Sequence, residues 1–127
     1  MIRYVSVTEE GKKEELFQDG LKHYMAQDYF EAHESWEDLW SDYYLEDRKF
    51  VQGLIQLSVS FVHLGNGNMT GAKNLLRKSK EKFILFSEIH RGINIRLLLD
   101  QIDAIGVAYD NLDHPTDFDW KLVPTLE

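Results

Sequence analysis

Hydrophobic residues recur at helical spacing along most of the chain. From about residue 8 to residue 112 they fall three or four positions apart, and runs of alternating apolar and polar residues are nearly absent. The two prolines, Pro115 and Pro124, lie in the last thirteen residues, so no proline interrupts a helix before them. The pattern predicts an all-α fold with no strand.

Breaks in this spacing divide the chain into about five helices. The first three are expected at about residues 8–27, 28–44 and 46–64. The fourth begins after a cap at Asn68, and the fifth follows Gly92 and ends near Leu112. Met25 and Phe30 are among the residues expected in the buried stripes of the first two helices.

The short connections predict antiparallel helical hairpins within a single domain, residues 1–127. A faint internal repeat makes the arrangement distantly similar to tetratricopeptide repeats. The repeat consists of His23, Ala32 and Trp36, which return forty positions later as His63, Ala72 and Leu76. The last segment, about residues 113–127, carries both prolines and two aromatic residues, and we expect it to pack on the bundle as an irregular tail.

Composition narrows the class of protein. The chain of 127 residues has no cysteine, which excludes disulfides and thiol catalysis. The apolar part of its longest uncharged stretch, residues 50–64, is too short to span a bilayer, and the N-terminus lacks the features of a signal peptide. We therefore expect a soluble, cytoplasmic protein without a membrane partner.

The net charge of −8 argues against general nucleic-acid binding, which positive charge drives. One run between Lys73 and Lys82 holds five basic residues within ten positions. Such a run is typical of the solvated face of a helix. Contact with RNA through this face is a weaker alternative.

The second and third predicted helices carry polar and aromatic residues whose spacing places them on facing surfaces. On the second helix, offsets of three, one and three residues put four side chains on one face, and the third helix presents two glutamines and a histidine. An antiparallel hairpin would bring these groups together in the core, where each needs a hydrogen-bond partner. The residues of this polar cluster are His33, Trp36, Glu37, Trp40, Gln52, Gln56 and His63.

Three interpretations of the polar cluster stay open. The first is a structural hydrogen-bond network that fixes helix register. The second is a ligand pocket lined by the tryptophans and glutamines, and the third is a metal site. In the third interpretation His33 and Glu37 bind a divalent cation, and Glu34 or His63 completes the ligand set. Glutamine is a poor ligand for transition metals, so no cofactor is predicted and a divalent metal is the alternative.

The same residues resemble a known family. The run from Tyr29 to Trp40, followed by residues 50–56 and by His63, is similar to the family catalogued as domain of unknown function 309, a group of small helical proteins of bacteria, archaea and plastids. The resemblance covers roughly residues 15–80. It implies an all-helical domain and a shared signature made of His33, Glu34, Trp36, Glu37, Trp40, Gln52, Gln56 and His63.

Two functions from different classes fit these observations. The preferred one is a non-enzymatic helical binding or interaction module whose partner is a protein, a peptide or a second copy of the chain. The alternative is a metal-dependent enzyme or sensor built on His33, Glu34, Glu37 and His63, with a glutamate as general base or ligand.

Overall fold

Five α-helices account for most of the chain in the computed structural model, which describes residues 2–127 and the side chains from Thr8 onward. The helices are α1 (Ile2–Met25), α2 (Tyr29–Asp42), α3 (Arg48–Gly65), α4 (Met69–Phe83) and α5 (Ile95–Asp110). Consecutive helices pack against each other along the chain, from α1 on α2 to α4 on α5. The all-α prediction is confirmed, and the tetratricopeptide-like detail stays a prediction.

Helix α3 lies at the centre because it packs against both α2 and α4. Small residues let α3 and α4 approach closely. A Cβ atom on Gly53 would lie 2.9 Å from the ring of Phe83, and the buried hydroxyl of Ser60 donates a hydrogen bond of 2.7 Å to the carbonyl of Ala72. The hydroxyl of Tyr109 on α5 lies 3.0 Å from the same Ser60 oxygen, which ties three helices together at one point.

The predicted cap of α4 is confirmed. The side chain of Asn68 accepts a hydrogen bond of 2.9 Å from the backbone N–H of Gly71. Gly67 before it has a φ of +76°, the left-handed conformation that lets the chain reverse between α3 and α4.

Several expected boundaries and buried positions are wrong. Helix α1 begins at Ile2, and two short strands, β1 (Ile89–His90) and β2 (Ile93–Asn94), pair antiparallel where no strand was expected. Met25 and Phe30 are 62% and 53% exposed. Each lies one residue, about 100° of helix rotation, from the buried side chain that faces the core, Tyr24 in α1 and Tyr29 in α2.

The segment after α5 returns across the bundle to α1 and α2. It contains two short 3-10 helices, Pro115–Asp117 and Trp120–Leu122. The buried hydroxyl of Tyr24 donates a hydrogen bond of 2.7 Å to the carbonyl of Pro124, and the ring of Trp120 stacks on Tyr29 at 5.9 Å between centroids. Across the residues that the structure describes, no helix combines the length and the apolar character needed to cross a membrane.

Candidate functional site

Trp36 belongs to the hydrophobic core and not to the polar cluster. Its indole is fully buried against Phe17 and Tyr24 of α1, and its Nε1 donates a hydrogen bond of 3.1 Å to the carbonyl of Phe17. The expectation that Trp36 faces α3 together with Glu37 is therefore wrong. Because α2 packs against α1 on one side and α3 on the other, neighbouring positions of its sequence face different helices.

The carboxylates of the predicted cluster lie outside the core. Glu34 and Glu37 are both exposed, which corrects the expectation of a buried glutamate between α2 and α3. His33 is half-buried, and its Nδ1 lies 2.6 Å from the carbonyl oxygen of Phe30. The buried face of α2 is formed by Tyr29, Ala32, Trp36 and Leu39, so the glutamates project to solvent.

His63 lies at the other end of α3, beside the turn into α4. Its ring rests against Gly71, where an added Cβ would lie 2.8 Å from the imidazole. The side-chain amide of Asn68 donates to Nδ1 of His63 over 3.3 Å. This histidine therefore supports the cap of α4.

Two other members of the cluster carry buried polar atoms without a hydrogen-bond partner in the described part of the chain. These atoms are Nε1 of Trp40, a donor, and Oε1 of Gln56, an acceptor. An unpaired buried polar group costs about 1–3 kcal/mol. The structure therefore leaves unsatisfied two of the residues that a purely structural network would have paired.

A cavity of about 580 Å³ opens beside Trp40 and Gln52. The guanidinium of Arg48 lies 3.8 Å from the centre of the Trp40 ring and donates a hydrogen bond of 3.2 Å to the Trp40 carbonyl. The walls combine apolar and charged side chains. The lining residues are Trp40, Leu45, Glu46, Arg48, Lys49, Gln52, Leu85 and Phe86.

Part of this cavity was missed from the sequence. Arg48 precedes Gln52 by one helical turn, so the spacing of four residues could have placed both on one face of α3. Leu85 comes from beyond the end of α4, and it is 60% exposed. No local pattern connects that residue to Trp40.

The α2–α3 connection, which forms one wall of this cavity, is held by an ionic contact with the β1–β2 hairpin. The carboxylate of Asp47 accepts hydrogen bonds from Nη2 of Arg91 at 3.0 Å and from Nε2 of His90 at 2.8 Å. Burial raises the pKa of Asp47, but the hydrogen bonds and positive charge of Arg91 and His90 outweigh burial and lower it below its ordinary value. The contact fixes the backbone directly after Leu45 and Glu46.

Within residues 8–127, no three or more histidine and carboxylate side chains come close enough together to hold a metal ion. The ring of His33 lies beside a backbone carbonyl, and the ring of His63 accepts a hydrogen bond from an asparagine side chain. The geometry thus gives the metal interpretation no support beyond the sequence spacing of His33 and Glu37.

Part of the chain matches one known protein family. The family described as Domain of unknown function (DUF309) matches residues 17–75, which contain all eight signature residues. No curated protein and no solved structure matched the chain. The matched segment runs from the middle of α1 into α4, and over these residues the chain is similar to the DUF309 family.

Proposed function

We propose that the chain is a non-enzymatic binding module whose ligand site is the cavity beside Trp40. Its ligand is a peptide segment of a partner protein, with an apolar side chain and the adjoining peptide group seated in the cavity. The observation that carries the proposal is the unsatisfied Nε1 of Trp40, a hydrogen-bond donor on a residue that lines the cavity. A peptide carbonyl offers the acceptor that this atom lacks.

The chemistry of the cavity walls supports a peptide over a small ion. Leu45, Leu85 and Phe86 supply apolar surface, and the amide of Gln52 supplies a donor and an acceptor. Pockets of this volume with a few placed polar groups are typical of ligand sites. The rim carries one acidic and two basic residues, so its net charge is a single positive charge.

The positions of the candidate catalytic groups favour binding over catalysis. Glu34 and Glu37 are exposed to water and do not line the cavity beside Trp40. His33 and His63 make contacts that orient local backbone and a helix cap. A base and its reacting partner need to meet within hydrogen-bond reach, and in the described part of the chain no hydrogen bond joins any two of these four residues.

The indole N–H signals provide a direct test. The chain has three tryptophans, so its ¹H–¹⁵N spectrum should contain three indole cross-peaks, which Trp40→Phe and Trp120→Phe assign. Titration with N-acetyl-leucine amide at millimolar concentration should shift the Trp40 signal and leave that of Trp36 in place. Trp40→Phe should weaken binding, whereas Trp120→Phe should not.

An unmoved Trp40 signal with this probe and with the corresponding phenylalanine amide would count against the site. Equal shifts at all three indoles would also count against it, because they indicate nonspecific association. Gln52→Leu tests the polar wall of the cavity independently. It should reduce affinity for the amide probe and change the free energy of unfolding by less than about 0.5 kcal/mol, because Gln52 is only partly buried.

A further inference from the structure

A second cavity, of about 530 Å³, opens at the opposite end of α2, where the chain turns from α1. Gln27 makes this turn with a φ of +65°. Aromatic and acidic residues dominate the walls. The lining residues are Gln27, Asp28, Tyr29, Phe30, Glu31, Phe61, Val62, Gly65, Asn66 and Trp120.

The aromatic walls are built by the C-terminal tail folding back on α2 and α3. Trp120 stacks on Tyr29 and contacts Phe61 edge-to-face at 6.2 Å between centroids. It still exposes 37% of its surface, and Phe30 exposes 53%. Large aromatic surface left open beside a cavity is the usual mark of a binding site.

The charges of this second cavity have one sign. Asp28 and Glu31 are exposed and line it, and among the described side chains no lysine, arginine or histidine does so. Asp28 stands at the N-cap of α2, but its side chain makes no capping hydrogen bond. Among the described residues neither carboxylate takes part in an ion pair, so both are available to a ligand.

A neighbouring depression on the other side of Trp120 extends the same surface. Met25, which is 62% exposed, lies on this side together with Lys121 and Glu127. These two charges offset each other. The surface as a whole is therefore negative around the cavity and carries offsetting charges at its flank.

We propose that this aromatic-acidic cavity binds a basic peptide segment of a partner protein. A lysine or arginine side chain lies against Trp120 with its charge toward Asp28 and Glu31, and neighbouring apolar residues cover Phe30 in the cavity and Met25 in the adjoining depression. Cations are attracted to the faces of aromatic rings, and the carboxylates add a direct ionic contact. The net charge of −8 steers a positive partner toward the chain.

The proposal is independent of the cavity beside Trp40, and the indole signals separate the two sites. The probe is an N-acetylated, C-amidated hexapeptide of alternating lysine and leucine, and the comparison peptide has glutamate in place of lysine. At low salt the basic peptide should shift the Trp120 indole signal, and the acidic peptide should leave that signal in place. Any shift that the leucines cause at Trp40 should not require lysine and should also occur with the acidic peptide.

Charge-neutral variants test the role of the carboxylates. The double variant Asp28→Asn, Glu31→Gln should weaken binding of the basic peptide about five- to tenfold, as expected for two exposed ion pairs. Asp38→Asn with Asp100→Asn is the matched control. Both control residues are exposed and line neither cavity, so this pair removes the same charge elsewhere and should change affinity by less than about twofold.

Three results would overturn the proposal. One is no shift of the Trp120 signal with the basic peptide at millimolar concentration. Another is equal weakening by the control pair, which would show that net charge alone attracts the peptide. The third is a comparable shift of the Trp120 signal with the acidic peptide. Thermal unfolding of each variant confirms that the fold is retained, and substitutions of exposed carboxylates should leave it intact.

Discussion

Gly20 shows how one residue of α1 determines the position of the central indole. A Cβ atom at this position would lie 2.2 Å from Nε1 of Trp36, closer than any side chain tolerates. Gly20→Ala should therefore displace the indole and break its hydrogen bond to the carbonyl of Phe17. We expect the free energy of unfolding, measured by urea denaturation, to fall by about 1–3 kcal/mol.

Gly11 on the same helix is the matched control. Among the residues that the structure describes, no neighbouring atom lies within 4 Å of a Cβ built there. Gly11→Ala should raise the free energy of unfolding by about 0.5–1 kcal/mol, because alanine favours the helix. Equal effects of the two substitutions would contradict the close contact between α1 and Trp36.

The buried hydroxyl of Ser60 is the second residue with a measurable role. Ser60→Ala removes the partner of the Ala72 carbonyl and of the Tyr109 hydroxyl, so we expect a loss of about 1–3 kcal/mol. In a double-mutant cycle with Tyr109→Phe, the two losses should not add, because the second substitution removes a hydroxyl that has already lost its partner. Additive losses would show that the two hydroxyls do not interact.

At the scale of the elements, Asp47 holds the β1–β2 hairpin against the α2–α3 connection. Because Arg91 and His90 lower the pKa of Asp47, its charged form stabilises the fold above the pKa of the unfolded chain. That stabilisation is lost as the pH falls through the lowered value. Asp47→Asn should therefore cost about 1–3 kcal/mol at neutral pH, and this difference should shrink as the pH falls from about 4 towards 2.

The measurement is thermal unfolding of the unsubstituted chain and of Asp47→Asn across this pH range. Asp38→Asn is the control, since Asp38 is exposed and has no ion pair among the described residues. A deficit in Asp47→Asn that stays constant down to the acid end would mean that the side chain acts through its shape and not through its charge.

The helices could be predicted from the sequence because their signals are local. Asn68 after Gly67 predicted a cap that Gly71 completes. The hairpin could not be predicted, since strands of two residues are too short to show alternation. Arg91, which binds the hairpin to Asp47, lies 44 positions from Asp47 in the sequence, and a local periodic pattern does not predict a contact over that separation.

The candidate site was predictable in its members but not in its geometry. Sequence spacing placed Trp36 and Trp40 on one face of α2, yet Trp36 contacts α1 while Trp40 lies against Arg48 at the start of α3. A helix packed on two sides divides a continuous stripe between two neighbours, and the sequence does not state which residue faces which. The exposure of Glu37 follows from the same division.

At the scale of the whole molecule, the matched segment and the packed core have different extents. The family match ends at residue 75, inside α4, whereas buried core residues continue through Ile105 and Tyr109 to Leu126. The tail also closes over α1, where Tyr24 donates to the carbonyl of Pro124. The matched residues therefore depend on chain outside the match for their burial.

Removing residues 113–127 tests this dependence. Phe118 and Leu126 are both buried, and burying such side chains stabilises a fold by about 1.5–3 kcal/mol each. The truncation also exposes Tyr24 and Tyr29, so we expect the melting temperature to fall by on the order of 10 °C. Tyr24→Phe, which loses only the hydrogen bond to the tail, should cost about 1 kcal/mol. A truncated chain as stable as the full one would show that α1–α5 form a self-sufficient core, and would also remove the structural basis for placing Trp120 in the aromatic-acidic cavity.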